Sequence, residues 1–473
     1  MTRRGLETAD LAPIAIILCA AIGLWCWGNR MAAPASDEVF SALNVAGIHP
    51  FQGVSYYMLP NNHLCFNLLN NLIFHPVADK VFTGRLLSLV AYIAVIIVLY
   101  YWLQSVLANR WLALLCALTA GLQFQVWGFG FQARGYELYL LAEWGLIVSL
   151  FRHISTGEER WLRLMALCSV TGFFCLPSFL YLYAAVIVFM ALRSLIKKNR
   201  NARFWEFQLI TIGITYLCYV PALCFSGLES ITHNNYVSAM GAFKKTGHVA
   251  FAQWMFPFFK PYIIHLFSDV HWNNLPVNVL LFVLPAFLAF HRKNRTLRLA
   301  GLFYATLWPV FFLITIIMEK LPFERNLIGH YSFTYAALLL LAWWLTDLLA
   351  AAGRMKMAKW VLFTGVIVFF GIHFSRTNLT YLKDTLYEYD VNAYYKDKAE
   401  WLSNIPVGST VAISDEDFYS YFLCLRLGYK AARCPAGNED YFVKEAFEEI
   451  PQTAGVHYVL YKKLYGNEIW KRQ

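Results

Sequence analysis

What this chain has least of is charge. Asp, Glu, Lys and Arg supply 14% of its 473 residues, where soluble domains carry roughly a quarter. Signatures of several enzyme classes are missing too. There is no HExxH, no CxxC pair and no G-x-S-x-G, so zincin, zinc-ribbon and hydrolase-elbow chemistry have no footing here. The first apolar run lacks a small-residue cleavage site, so it reads as a retained membrane span and not as a removed signal. What is abundant is apolar: 59% of residues are hydrophobic and 17% aromatic, with a mean hydropathy of +0.48. Together these values describe a polytopic membrane protein. The net charge of +10 is gathered in short clusters between apolar runs. That is the pattern of cytoplasmic loops, and it argues against a nucleic-acid footprint.

The ten cysteines show no metal-ligand spacing, and most lie inside apolar runs as small hydrophobes. Cys424 and Cys434 differ, because both fall in the polar tail, where an oxidising compartment would let them pair.

A span needs about 20 apolar residues. Runs at 11–29, 86–107, 111–129, 135–151, 162–177, 179–195, 207–226, 275–290, 299–318, 330–350 and 358–374 meet or approach that length. The long stretch 162–195 has basic clusters at both ends, which requires two crossings and a tight outer turn near Pro177–Ser178. Placing all five basic clusters in the cytoplasm leaves an even number of spans between neighbours. The expected fold is therefore an α-helical polytopic membrane protein of about 11 transmembrane helices, N-terminus inside and C-terminus outside.

This topology gives the outer face three large pieces: the loop 30–85, the aromatic-rich loop 227–274 and the tail from about 376 to 473. In the first, "NNHLCFNLLNNLIFH" (61–75) sets Leu64, Leu68 and Leu72 on one helical stripe, with His63, Asn67, Asn70 and Asn71 largely opposite. It is too short to span, so an interfacial helix is expected. The tail reads as a small α/β domain. "TVAIS", "YKAARCP" and "VHYVLYK" are strand-like, and "SDEDFYSYFLCLRLG" and "EDYFVKEAFEEI" helix-like, which predicts a parallel sheet. Neither GxGxxG nor a P-loop occurs in the tail, so no nucleotide site is indicated.

Asp37 and Glu38 stand at the outer lip of the first span. They can simply begin a helix, with Ser36 as N-cap and acids in the first turn. They can also do chemistry, since a helix start holds a carboxylate on a rigid element. Arg134 and Arg325 occupy outer lips as well, in "GFGFQARGYELYLL" and "PFERNLIGHY". Each can snorkel to headgroups, Arg134 can pair with Glu137 three residues on, or both can ligate a lipid phosphate. The outer histidines match no metal spacing, and Lys244 and Lys245 read as a solvated loop.

An N-in first span, an outer loop opening with "SDEVFSA", an interfacial helix, the "ARGYELYLL" turn and a polar outer tail together resemble the GT-C fold glycosyltransferases. The likeness is to the bacterial protein O-mannosyltransferase and aminoarabinose-transferase-like branch, and it covers about residues 1–375. It implies a sugar donor on a polyprenyl phosphate such as undecaprenyl phosphate, and a lipid, glycan or protein acceptor on the outer face of the bacterial inner membrane. It implies catalytic roles for Asp37, as base, and Glu38. It further implies a substrate site at Arg134, Tyr136 and Arg325, with Glu137, Asn62 and His63 as further candidates for substrate binding. Some relatives carry a further Asp in the second outer loop; here the nearest acid is Glu137, which leaves a divalent metal open. Two rivals stand beside this reading. An O-antigen ligase or polymerase would concentrate function in a late loop, and a lipid-glycan transporter would place ionisable groups deep in spans, where Glu143 is the main candidate.

Overall fold

The structure, a computed structural model, describes residues 10–57, 62–75, 77, 79–198, 201–232, 260, 262–263, 275–318, 322–351, 360–361, 363–372, 391–414, 418–433, 439–445, 457–464 and 467–473. Most of the outer loop 227–274 therefore lies outside the described residues, including His233, Lys244, Lys245, His248, His265 and His271, as does Cys434.

The chain begins with α1 (Leu11–Met31). Four short helical pieces follow: α2 (Ser36–Ser41), a π-turn over Ala42–Ala46, α3 (Pro50–Ser55) and α4 (Leu64–Ile73). The bundle continues with α5 (Lys80–Leu107), α6 (Arg110–Gly121), α7 (Phe124–Trp127), α8 (Tyr136–Thr156), α9 (Glu159–Cys175), α10 (Leu180–Lys197) and α11 (Ala202–Thr232). Next come α12 (Leu275–Val283), α13 (Arg295–Met318) and α14 (Ile328–Ala351), then α15 (Phe363–Ile372). The described residues of the eleven apolar runs are mostly helical. Among the described residues, six helices are long and apolar enough to cross a membrane by length and composition.

The break expected near Pro177 is present: α9 stops at Cys175, and a 3-10 turn over Pro177–Phe179 leads into α10. Phe173 and Tyr183 would lie about 15 Å apart along a continuous helix, yet their rings sit 5.1 Å apart, so the chain doubles back. Large aromatics knit the bundle together. Trp144 on α8 packs 5.4 Å from Trp102 on α5 and 5.9 Å from Phe333 on α14. Its indole N–H donates to Ser332 Oγ at 2.9 Å, which satisfies the one polar atom it buries.

Helix α4 is turned inside out relative to a soluble amphipathic helix. Asn67, Asn70 and Asn71 are buried, while Leu72 and Ile73 are 55% and 58% exposed. The asparagines are the glue. Asn70 donates to Lys80 O at 2.8 Å and accepts from Thr83 Oγ1 at 2.6 Å, and Asn71 donates to Ala46 O and Ile48 O, each at 2.7 Å. Leu64 and Phe66 are also buried, so the exposed apolar surface is the C-terminal end at Leu72 and Ile73, which lipid acyl chains can accept at no cost.

In the tail, α16 (Val391–Leu402), β1 (Thr410–Ile413), α17 (Phe418–Arg426), β2 (Lys430–Arg433), β3 (Tyr441–Glu445), β4 (Tyr458–Leu464) and β5 (Asn467–Arg472) form a domain with its own core. The sheet order is β2-β1-β3-β5-β4. β1 runs parallel to β2 and β3, but β5 is antiparallel to β3 and β4, so the expected all-parallel sheet is corrected to a mixed one. The helix expected to begin at Glu439 is corrected over Tyr441–Glu445, which is strand. Tyr441, Phe442 and Val443 are all buried between neighbours, and a strand covered on both faces shows no period by which to tell it from a helix.

Candidate functional site

The carboxylate pair sits where the sequence places it, but its two members do different things. The N-cap of α2 is Ala35 and not Ser36, and Glu38 Oε2 reaches back to accept from Ala35 N at 2.8 Å. Arg85, from the second turn of α5, meets Glu38 in a fork, with Nε to Oε1 and Nη2 to Oε2 both at 3.0 Å. Ala133 N donates to Glu38 Oε1 as well. A carboxylate offers about four acceptor positions, and all of Glu38's are taken by protein at 1% exposure. Arg85 spends its other donors on Asn29 Oδ1, Ala32 O and Ala33 O, at 2.7, 3.0 and 3.2 Å. The buried Arg85–Glu38 pair therefore ties the end of α1, the start of α2 and the turn before α8 into a single frame.

Asp37, next in the same helical turn, points the other way. Its side chain is 48% exposed and lies 3.2 Å from Arg134 Nη1, whose own side chain is 4% exposed. Arg134 belongs to the turn before α8, which Ser88 pins by donating to Gln132 O at 2.6 Å and Arg134 O at 3.1 Å. The guanidinium of Arg134 lies 5.6 Å from the centre of the Tyr136 ring, and that of Arg325 lies 6.0 Å from the same ring. Arg325 is exposed and also stacks 4.6 Å from Phe323. It is carried by a 3-10 turn over Glu324–Leu327, docked to α8 by Tyr139 Oη donating to Asn326 O at 3.0 Å. An accessible carboxylate and two guanidiniums from distant parts of the chain thus gather around one tyrosine.

His63 lies beneath this group. Its ring meets Tyr136 edge-on at 4.8 Å, it is 1% exposed, and neither ring nitrogen finds a partner among the described residues. Burial first, and then the Arg134 and Arg325 charges, hold its imidazole well below the usual histidine range, so it stands neutral. Gly135 is what lets it approach: a Cβ there would come 2.9 Å from His63 Cβ.

Two expected substrate residues are placed elsewhere. Asn62 donates to Gly53 O and Tyr56 O and accepts from Asn67, a loop-fixing role within α3 and α4. The local pairing of Arg134 with Glu137 is replaced by the pairing with Asp37. Glu137 is fully buried, and its carboxylate finds no donor among the described residues. No group of three or more His, Cys, Asp and Glu side chains suited to a metal occurs among the described residues.

The tail borders the site directly. Tyr419 Oη donates to Pro34 O at 2.8 Å, Arg433 Nη1 donates to Asn44 Oδ1 at 2.6 Å, and Arg426 pairs with Asp79, the N-cap of α5. Phe422 is buried among Val39, Val81 and Ala133. The tail and Asp37 therefore share one side of the membrane. Sequence reading missed Arg85 and these tail contacts, because an arginine at a span boundary carries the same local signal as a headgroup anchor.

The fold and site define a multi-pass membrane protein with the GT-C architecture. No family model matches the chain, and no curated protein matches it by sequence. Among solved structures it is similar to ArnT from Cupriavidus metallidurans, described as bound to undecaprenyl phosphate, with a TM-score of 0.58 and 10% identity over 97% of each chain. It also matches the archaeal oligosaccharyltransferase AglB from Archaeoglobus fulgidus, described in complex with an inhibitory peptide and a dolichol-phosphate, at a TM-score of 0.45 and 9% identity, over 93% of this chain and 69% of that one. At 10% identity, what is shared with ArnT is the fold.

Proposed function

We propose that the protein is a glycosyltransferase that moves a sugar from a polyprenyl-phosphate donor to a lipid, glycan or protein acceptor at the outer face of the bacterial inner membrane. The observation that carries this reading is the Asp37 carboxylate 3.2 Å from buried Arg134, with Arg325 against the same tyrosine as Arg134. The fold shared with ArnT, a protein described as bound to undecaprenyl phosphate, supports the donor class. The donor phosphate displaces Asp37 as partner of Arg134 and takes Arg325 as its second cation. Released from Arg134, the Asp37 carboxylate accepts the proton of an acceptor hydroxyl as that oxygen attacks the anomeric carbon. The bond from that carbon to the phosphate oxygen breaks, and polyprenyl phosphate departs as a stable anion that cations alone can receive. A single displacement with one base inverts the anomeric centre. Glu38 holds the frame, and His63 supports Tyr136 from below. The carboxylate of the cluster stands in the first outer loop, which favours this scheme over a late-loop ligase or polymerase.

The test is transfer from a defined polyprenyl-phosphate sugar by purified protein. In the first turn of α2 an Asn gives up only the charge that favours a helix start, about 0.3–1 kcal/mol, so Asp37→Asn keeps the fold and donor binding and loses turnover roughly a hundred- to ten-thousandfold. Arg134→Ala and Arg325→Ala each weaken donor binding by about 1.5–3 kcal/mol, roughly ten- to a hundredfold. Near-normal turnover in Asp37→Asn removes the base, and unchanged donor kinetics in both arginine variants remove the phosphate site.

A further inference from the structure

Helix α8 starts at the site, and its 21 residues at a rise of about 1.5 Å place its other end about 31 Å away, across the membrane. There a cavity of about 520 Å³ opens between the ends of α8 and α10 and the starts of α9 and α11. Ile154, Leu162 and Met190 give it an apolar floor, and Arg193, Lys197 and Arg203 line it with cations. Arg203 is paired with Glu206 at 2.8 Å, and Glu159, the acid on the wall, is paired with Arg163 at 3.5 Å. Arg193 and Lys197 form no ion pair among the described residues. Arg295, behind the lining, donates to Ile154 O at 2.8 Å, and Arg193, Arg295 and Arg298 all act on Lys197.

Basic residues at a cytoplasmic loop satisfy topology alone. Topology does not require them to converge on a cavity, with Arg193 half-buried and no ion pair to Arg193 or Lys197 among the described residues to offset their mutual repulsion. An anion relieves it. The surroundings say where the anion comes from. Leu195, Ile196 and Leu209, on the same helices, are 74%, 82% and 71% exposed, which is the bilayer-facing surface of the bundle. Trp161 and Trp205, in the first turns of α9 and α11, suit the headgroup level.

We propose that this cavity binds the phosphate of an anionic membrane-lipid headgroup on the side opposite the reaction. Arg193 and Lys197 take the phosphate oxygens. The site is independent of the sugar-transfer reading. It is tested by thermal unfolding of the full-length protein in detergent, titrated with phosphatidylglycerol, phosphatidylcholine or inorganic phosphate. Phosphatidylglycerol is expected to raise the melting temperature saturably, and the other two are not. Arg193→Gln/Lys197→Gln requires roughly ten- to thirtyfold more phosphatidylglycerol for the same protection. Arg292→Gln/Lys293→Gln, exposed and outside the cavity, requires no more than the wild type. Lys197→Gln alone, also exposed, serves where the double variant does not purify. An unchanged response in the cavity variants, an equal loss in the Arg292/Lys293 variant, or equal protection by phosphatidylcholine overturns the site. Full protection by inorganic phosphate overturns its lipid source.

Discussion

Glu38→Gln separates a frame from a catalyst. Four donors converge on the native carboxylate: two from Arg85, one from Ala35 N and one from Ala133 N. Glutamine keeps the shape but brings an N–H group against at least one of these donors, and it leaves Arg85 charged at 4% side-chain exposure. Removing one partner of a buried ion pair costs about 3–5 kcal/mol, because the other is left uncompensated. Arg85→Met should cost at least as much, since it also abandons Asn29 Oδ1, Ala32 O and Ala33 O. In the double variant neither charge is stranded, so its loss should fall short of the sum by about 0.5–3 kcal/mol. The assay is a denaturation double-mutant cycle on the purified protein, with sugar transfer measured alongside at a temperature where every variant is folded. Transfer should fall in proportion to the folded, framed population. The reasoning fails if the two single losses simply add. It also fails if Glu38→Gln unfolds like the wild type while transfer is abolished, which would move the chemistry from Asp37 to Glu38.

Acid should destabilise the protein through His63. Its native imidazole resists protonation because of burial and the Arg134 and Arg325 charges, whereas an unfolded histidine takes a proton near pH 6.5. Below that pH the unfolded state binds more protons than the native one, so stability is complete above about 6.5 and falls by up to about 1.4 kcal/mol per pH unit beneath it. Melting temperatures from pH 8 to 5 should show this fall in the wild type and a shallower one in His63→Met; parallel curves would refute it. Phe422→Ala should loosen the tail from α2 and cost about 3–5 kcal/mol of packing. Limited proteolysis should then release the tail before the bundle is cut, and simultaneous loss of both would show that this contact does not seat the tail.

Local chemistry was enough to reveal a good deal of this molecule. Apolar runs of span length have one stable solution in lipid, the helix, which satisfies its backbone within the segment. For that reason the helical membrane character, the break near Pro177 and the short helix over 64–73 could all be read from the chain. The acids at the lip were legible too, because helix starts favour them. Other features were decided only by contacts between distant residues. Asp37 and Glu38 are neighbours with the same functional group. What divides them is Arg85, 47 residues beyond Glu38, and Ala133, 95 residues beyond it, which fill one carboxylate and leave the other facing out. Arg134 and Arg325 become a pair only because both stack on Tyr136. The strand at Tyr441 is buried on both faces, which erased the period that would have announced it. Periodicity set the asparagines of α4 opposite the leucines without saying which side meets protein. The tertiary structure buries the asparagines against α5 and the α2–α3 segment, where their hydrogen bonds hold the site together.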